Sequence, residues 1–415
     1  MDGVPVEILC RALRAVFVSP YSVDASLPVQ RDVLCSVCRL WRAAIDNDAR
    51  SWANIFITYS TRVDSLREWL LRARNVPLAI DIHFPNTLAP LEVQRLPELF
   101  SELVPFVHRC RRLRIRVANN RIGTYAFGLI AALPMDSLST VDIVMAPPYQ
   151  SPRFATFAHS VPPVLTTLSF HRAFPTWMDK SSFACITSLT LSNITTFPRP
   201  FVGDIADLFG ATPNLVHLVL YYVDPHIIGV RQAASTRVTL DRLEHLEFAM
   251  RRARCTEFLS VLWAPNLERL AVTLDREEDV LPCLELCGRR FSTVFSLRLA
   301  CHFTSHTVLT TVLADFNALV QLDARRSPGF PLAFYGAALH SERLCPNLFR
   351  VCAGDLPALL VEDILRERNQ SNFASELRIC ADVVSADVYA APAYAEYGLS
   401  GGRVLCRGAF VDHLF

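Results

Sequence analysis

Two cysteine pairs have spacings that suggest chemistry: Cys35-x-x-Cys38 and Cys283-x-x-x-Cys287. Thiols one helical turn apart can cycle through a disulfide or supply half of a zinc site. Neither pair has a second Cys or His pair at matching spacing. Cys35 and Cys38 fall in the middle of an expected apolar helix face, so both pairs read as packing. Cys301, His302 and His306 could form a metal corner, but a fourth ligand is not evident. Glu277-Glu278-Asp279 lies in a polar run and reads as a solvated loop. The chain has no phosphate-binding glycine loop, no dinucleotide fingerprint, no nucleophile elbow and no H-E-x-x-H helix. The expectation is a protein that is not an enzyme, with no cofactor and no metal.

A second set of reactive side chains alternates with leucines. Arg112 and Arg114, Tyr221, His245, Arg269, Arg298, Arg325 and Arg350 each sit between or beside apolar residues at strand spacing. Alternation turns the apolar residues inward and these outward. Guanidinium with Tyr and His is a recognition set, because the planar fork pairs bidentately with carboxylate or phosphate. These eight residues are the candidate target-binding positions. Of the 41 basic residues all but Lys180 are arginine.

The leucines that carry these side chains recur as L-x-x-L-x-L. Copies begin at Cys110-Leu113-Ile115 and continue through Leu215-Leu218-Leu220 and Leu267-Leu270-Val272 to Leu348-Val351-Ala353 and Ala374-Leu377-Ile379. The central positions are 113, 141, 168, 189, 218, 246, 270, 297, 322, 351 and 377. They are spaced by 21 to 29 residues, the period of leucine-rich repeats. Three copies open with Pro-Asn-Leu, at Pro213, Pro265 and Pro346. One such unit cannot bury its apolar face alone, so stacked copies must share a core. The standard repeat carries an Asn or Cys three residues after the last Leu. Here that position holds Ala118, Ile194, Val223, His302 or Ser327, so no polar ladder is expected.

The first residues follow another rule. Pro5 suits the first position of a helix, Glu7 its first turn, and Ile8, Leu9, Leu13 and Val16 make an apolar stripe. A second amphipathic helix is expected to carry Leu34, Val37, Cys38, Trp41 and Ile45. Asp48 is a candidate N-cap for a short segment with Trp52.

Val4-Pro5-Val6-Glu7-Ile8-Leu9, then Val37-Cys38-Arg39-Leu40-Trp41-Arg42, then Arg50-Ser51-Trp52 resembles the F-box. The loop from Val18 to Gln30 is longer than in the compact motif, and Val4 stands where Leu is usual. The segment from Trp69 to Ile80 is similar to one that comes after the F-box in fungal proteins of this kind. The resemblance implies an α/β, leucine-rich-repeat-like solenoid preceded by a small all-α module. The expected boundaries are an F-box-like helical module over 1–57, a linker helix over 58–77, an irregular solenoid over 78–385 and a C-terminal cap or tail over 386–415. It also implies a substrate receptor of an SCF-type ubiquitin ligase. Such a receptor binds the Skp adaptor, and through it a cullin, by Pro5, Ile8, Leu9, Leu34, Val37, Trp41 and Trp52, while the repeats take an unknown protein substrate.

Two other readings stay open: a leucine-rich scaffold without a ubiquitin link, and a nucleic-acid binder using the arginine face. A net charge of +1 argues against the second. Thirteen cysteines without framework spacing point to a reducing compartment. No apolar stretch approaches the roughly 18–20 residues of a membrane span. The expected location is the cytoplasm or nucleus.

Overall fold

The computed structural model describes residues 5–18, 27–84, 96–117, 136–145, 155–156, 164–172, 175–176, 180–194, 209–223, 238–250, 255–274, 280–303, 305–327, 329–340, 345–354, 361, 363–366, 377–383, 393–400 and 403–410. The Glu277-Glu278-Asp279 run lies outside these residues. The chain is a mixed α/β protein of two compact units, Met1–Phe201 and Val202–Phe415.

The first unit opens with helices α1 (Val6–Val18), α2 (Leu27–Val37) and α3 (Arg39–Asn47). The Pro5 carbonyl accepts from the Ile8 and Leu9 amides, starting α1 where proline costs no hydrogen bond. The expected second helix is in fact two. Cys38 is extended (φ −160°, ψ 167°) and N-caps α3, so Cys35 and Cys38 do not share a helix face. Asp48 does cap, accepting from the Arg50 amide at 3.2 Å, but the segment it opens is a 3-10 turn, Ala49–Trp52.

Strand β1 (Asn54–Ile57) then begins inside the segment expected to be wholly helical. Helix α4 (Val63–Arg72) occupies the expected linker and returns the chain to β2 (Leu78–Phe84). β1 pairs with β2 in parallel, Ile55 opposite Ile80 and Ile57 opposite Ile82, so the repeating ladder starts earlier than the leucine count suggests. After α5 (Leu96–Leu103) come β3 (Cys110–Val117), β4 (Thr140–Met145), β5 (Thr167–His171) and β6 (Ser188–Ser192). All pair in parallel, with Leu113, Val141, Leu168 and Leu189 in one row.

The second unit repeats one scheme. Strands β7 (His217–Tyr221), β8 (His245–Met250), β9 (Arg269–Leu274), β10 (Ser296–Ala300), β11 (Gln321–Ala324), β12 (Arg350–Ala353) and β13 (Arg378–Val383) form a parallel ladder. Helices α6 (Cys255–Val261), α7 (Val280–Arg290), α8 (His306–Ala314) and α9 (Phe330–His340) are the return segments, as parallel strands require. One row runs Leu218, Leu246, Leu270, Leu297, Leu322, Val351, Ile379. The last member corrects the expected register: Ile379, not Leu377, lies opposite Val351. A slip of two residues keeps the same face buried, which is why the sequence tolerates it.

The repeats are tied by recurring backbone bonds. The amides of His245, Arg269, Ser296, Gln321 and Arg350 donate to the carbonyls of Val216, Glu244, Glu268, Phe295 and Val320 in the preceding repeat. The Pro-Asn-Leu copies have a use here. Asn266 Nδ2 donates to the Asp241 carbonyl (2.7 Å) and Asn347 Nδ2 to the Asn317 carbonyl (3.0 Å), one repeat back. The expectation of no polar ladder fails at one place. Buried Ser327 accepts from the Cys301 amide (3.2 Å) and donates to the Leu299 carbonyl (3.0 Å).

Gly329 has φ +75°, and a Cβ there would collide with the Phe303 carbonyl, so this turn requires glycine. The expected tail holds β14 (Ala393–Ser400) and β15 (Arg403–Phe410), which end the sheet in antiparallel pairing with β13 and with each other.

Candidate functional site: a cationic pocket and an apolar helix face

The outward face of the second unit carries a pocket of about 330 Å³. His245, Arg269, Arg298, Arg325 and Arg350 line it, with Asp323 and Cys352. Five of the eight expected target-binding residues therefore meet in one place. They come from four strands and the turn after β11, and register stacks them: His245 lies opposite Arg269, and Gln321 opposite Arg350.

Two carboxylates shape the charge. Asp323 holds Arg325 through two bonds, 2.9 Å from Nε and 2.7 Å from Nη2. Glu247 Oε1 accepts from both the Tyr221 hydroxyl and Arg298 Nη2. Tyr221 is thus a brace for Glu247 rather than a lining residue, and its phenol is pushed up to about 12 by burial and that bond. Glu247 and Arg298 lie on β8 and β10, with Ala271 of β9 between them in the same row. Strands about 4.8 Å apart put the two backbones roughly 10 Å apart, and only a small residue between lets the side chains meet.

Of the four guanidiniums that line it, Arg298 is held by Glu247 and Arg325 by Asp323. Arg269 is exposed and has no ion-pair partner among the described residues. His245 packs edge-on against His217, ring centroids 5.5 Å apart. Burial first, then His217, Arg269 and Arg298, hold its imidazole below the ordinary 6.5, against the pull of Glu247. The arrangement is suited to an anionic group, since each added negative charge would be met by a fork already in place.

Arg112 and Arg114 belong to the first unit. Arg114 bridges Asp142 (2.7 Å) and Asp81 (3.8 Å), so it is engaged within the fold. Arg112 is exposed, and burial of its surroundings lowers its pKa.

The candidate adaptor-facing residues fall into two groups. Ile8 is 54% and Val37 56% exposed, Pro5 is exposed, and Leu9, Leu34 and Trp41 are half-buried. Val6, Val33 and Leu40, which the motif did not single out, are exposed beside them in sequence. Trp41 Nε1 is buried with no hydrogen-bond partner among the described residues. Trp52 is different. It is buried, donates from Nε1 to the Ile45 carbonyl (2.9 Å), and lies between the guanidiniums of Arg31 (4.3 Å) and Arg72 (4.4 Å). The motif position is filled, but the side chain is occupied inside its own chain. Nothing in a short motif distinguishes an anchor for a partner from an anchor for the fold.

Of the two cysteine pairs only Cys283 and Cys287 pack as expected; Cys35 is half-buried and Cys38 exposed. Cys283 and Cys287 are fully buried, and Cys283 hydrogen-bonds with Cys255 and Cys287. Cys301 is buried and its thiol pushed up to about 12 by that burial, whereas His302 and His306 are exposed. Among the described residues no group of three or more His, Cys, Asp or Glu could hold a metal ion, and no helix is long and apolar enough to cross a membrane. No protein-family model matches the chain, and no curated protein is significantly similar to it.

Proposed function

We propose that this chain is a substrate receptor of an SCF-type ubiquitin ligase. In this reading an F-box-like set of helices takes the Skp adaptor, and a leucine-rich-repeat-like solenoid takes the target protein. The observation that carries the reading is the N-terminal helices' unequal faces. Leu13, Ala44 and Ile45 are buried, while Val6, Ile8, Val33, Val37 and Leu40 stand exposed. Three short helices showing that many aliphatic side chains to water are suited to docking against a partner. Ile8 and Val37 are among the adaptor-facing positions that the F-box resemblance implies. The cationic pocket is the target-binding site in this reading, and it selects an anionic feature of the target. A protein target is favoured over nucleic acid, because the arginines gather in one pocket and the net charge of the chain is +1.

The test is capture of purified Skp adaptor by the full chain. Wild type should retain it, and Ile8→Asp with Val37→Asp should not, because both positions are exposed and the substitutions leave the fold intact. Adaptor retained by the folded double variant at wild-type level refutes the assignment.

A further inference from the structure

Two thiols face each other in the pocket wall. Cys352 of β12 and Cys380 of β13 are direct partners across the parallel ladder, and neither is in a disulfide. Cys352 lines the pocket and is partly exposed, whereas Cys380 is 6% exposed. Arg350 Nε donates to Cys380 Sγ at 3.4 Å. Neighbouring strands lie about 4.8 Å apart, within the roughly 4.4–6.8 Å that a disulfide spans between Cα atoms.

We propose that Cys352 and Cys380 are a reversible oxidation site, at which a peroxide converts the two thiols to a disulfide in the wall of the cationic pocket. The inference stands on this geometry and is independent of the ligase reading. Two adjacent thiols cannot both ionise easily, and the hydrogen bond with Cys380, then burial, push the Cys352 thiol well up. Arg350 donates to Cys380 Sγ, which orients that sulfur and makes it the attacking one in this scheme. That sulfur attacks one peroxide oxygen, the O–O bond breaks, and the departing hydroxide takes up a proton as water, leaving a sulfenic acid. The Cys352 sulfur then attacks the sulfenic sulfur. The S–S bond forms, the S–O bond breaks, and the second water leaves with the proton from Cys352. Two thiols are oxidised by two electrons and one peroxide is reduced to two waters. Arg350 is a positioning residue in this scheme. It holds the attacking sulfur and is itself a pocket residue, so oxidation alters the setting of one guanidinium of the anion site.

The core supplies an internal reference. Cys283 and Cys287 are also neighbouring thiols, but both are 0% exposed, whereas the Cys352–Cys380 pair opens on the pocket through Cys352.

The experiment treats the reduced full chain with hydrogen peroxide, blocks remaining thiols, digests with trypsin and identifies linked peptides. Cleavage after arginine places Cys352 in 351–366 and Cys380 in 379–403, each with one cysteine, so the product is unambiguous. The expected result is that linked pair, reversed by dithiothreitol, absent in Cys352→Ser and formed before any oxidation of Cys283 or Cys287. The rate should rise with pH, and Arg350→Gln should move that profile to higher pH. Near neutrality, a profile displaced upward by one pH unit means about tenfold slower formation. Arg350→Lys should recover much of the rate. Wild-type chain that gives no 351–366 to 379–403 link, or whose Cys283 and Cys287 oxidise as fast, overturns the proposal, and this readout needs no variant to fold. An unmoved pH profile in folded Arg350→Gln overturns the role of the arginine.

Discussion

Replacing Asp323 by Asn should tighten anion binding, although it removes a polar side chain from the pocket. Asp323 holds Arg325 at 2.7 and 2.9 Å and shares the cavity with Arg269, Arg298 and Arg350. Its charge offsets that of Arg325, one of the four guanidiniums that line the pocket. Asparagine keeps the shape and a carbonyl acceptor but removes the charge, so the pocket becomes more positive by one unit. A unit charge about 7 Å from the ligand is worth roughly 0.6 kcal/mol at the dielectric of water and about 2.4 kcal/mol at an effective value of 20. With salt screening in an open pocket, about 1 kcal/mol is a reasonable magnitude, or about fivefold in affinity. The lost ion pair is partly exposed and costs the fold at most about 1 kcal/mol. Fluorescence anisotropy with a labelled acidic model peptide, titrated at several salt concentrations, reads the effect. Wild type and variant should converge as salt rises. Equal or weaker binding by a folded Asp323→Asn chain at low salt would show that the pocket does not act through its net charge.

Three further outcomes rest on the same geometry. Trp52→Ala should destabilise the protein by about 3–5 kcal/mol in chemical denaturation, because it opens a cavity and removes the ring over which Arg31 and Arg72 lie, whereas Val37→Asp should change stability by under about 0.5 kcal/mol; equal effects would mean that Trp52 is not built into the fold. Ala271→Leu should separate Glu247 from Arg298 and weaken peptide binding several-fold while leaving the strand paired. Unchanged binding would mean that the bridge over Ala271 is dispensable. Burial holds the imidazoles of His83, His171 and His245 below their ordinary value of 6.5, so below that value the unfolded chain takes up more protons than the folded one. Thermal stability should therefore be full above the ordinary histidine value and fall as pH drops below it. Asp81, pushed up by burial, acts in the opposite sense but only in the carboxylate range. A midpoint temperature that rises between pH 7 and pH 5.5 contradicts this reading.

The repeat spacing was legible because the period of a strand is two and every inward position is apolar. The leucine rows therefore mark the ladder with no knowledge of what faces them. The same property hid the register of β13, since a slip of two residues leaves an equally apolar pattern. β1 was not legible because its four residues, Asn54–Ile57, are too few to show a period and come after a helical run. The arginines of the pocket were visible one by one from alternation. Their meeting in one cavity, the neutralisation of Arg298 and Arg325, and the engagement of Arg114 elsewhere were settled by neighbours 2 to 51 residues away. A charge in sequence says nothing of its partner across strands, because pairing depends on register and on the size of what lies between, as at Ala271. The same holds for Trp52. Its motif position was legible, but whether that indole faces a partner or its own core depends on Arg31 and Arg72, which only the folded chain brings to its two faces.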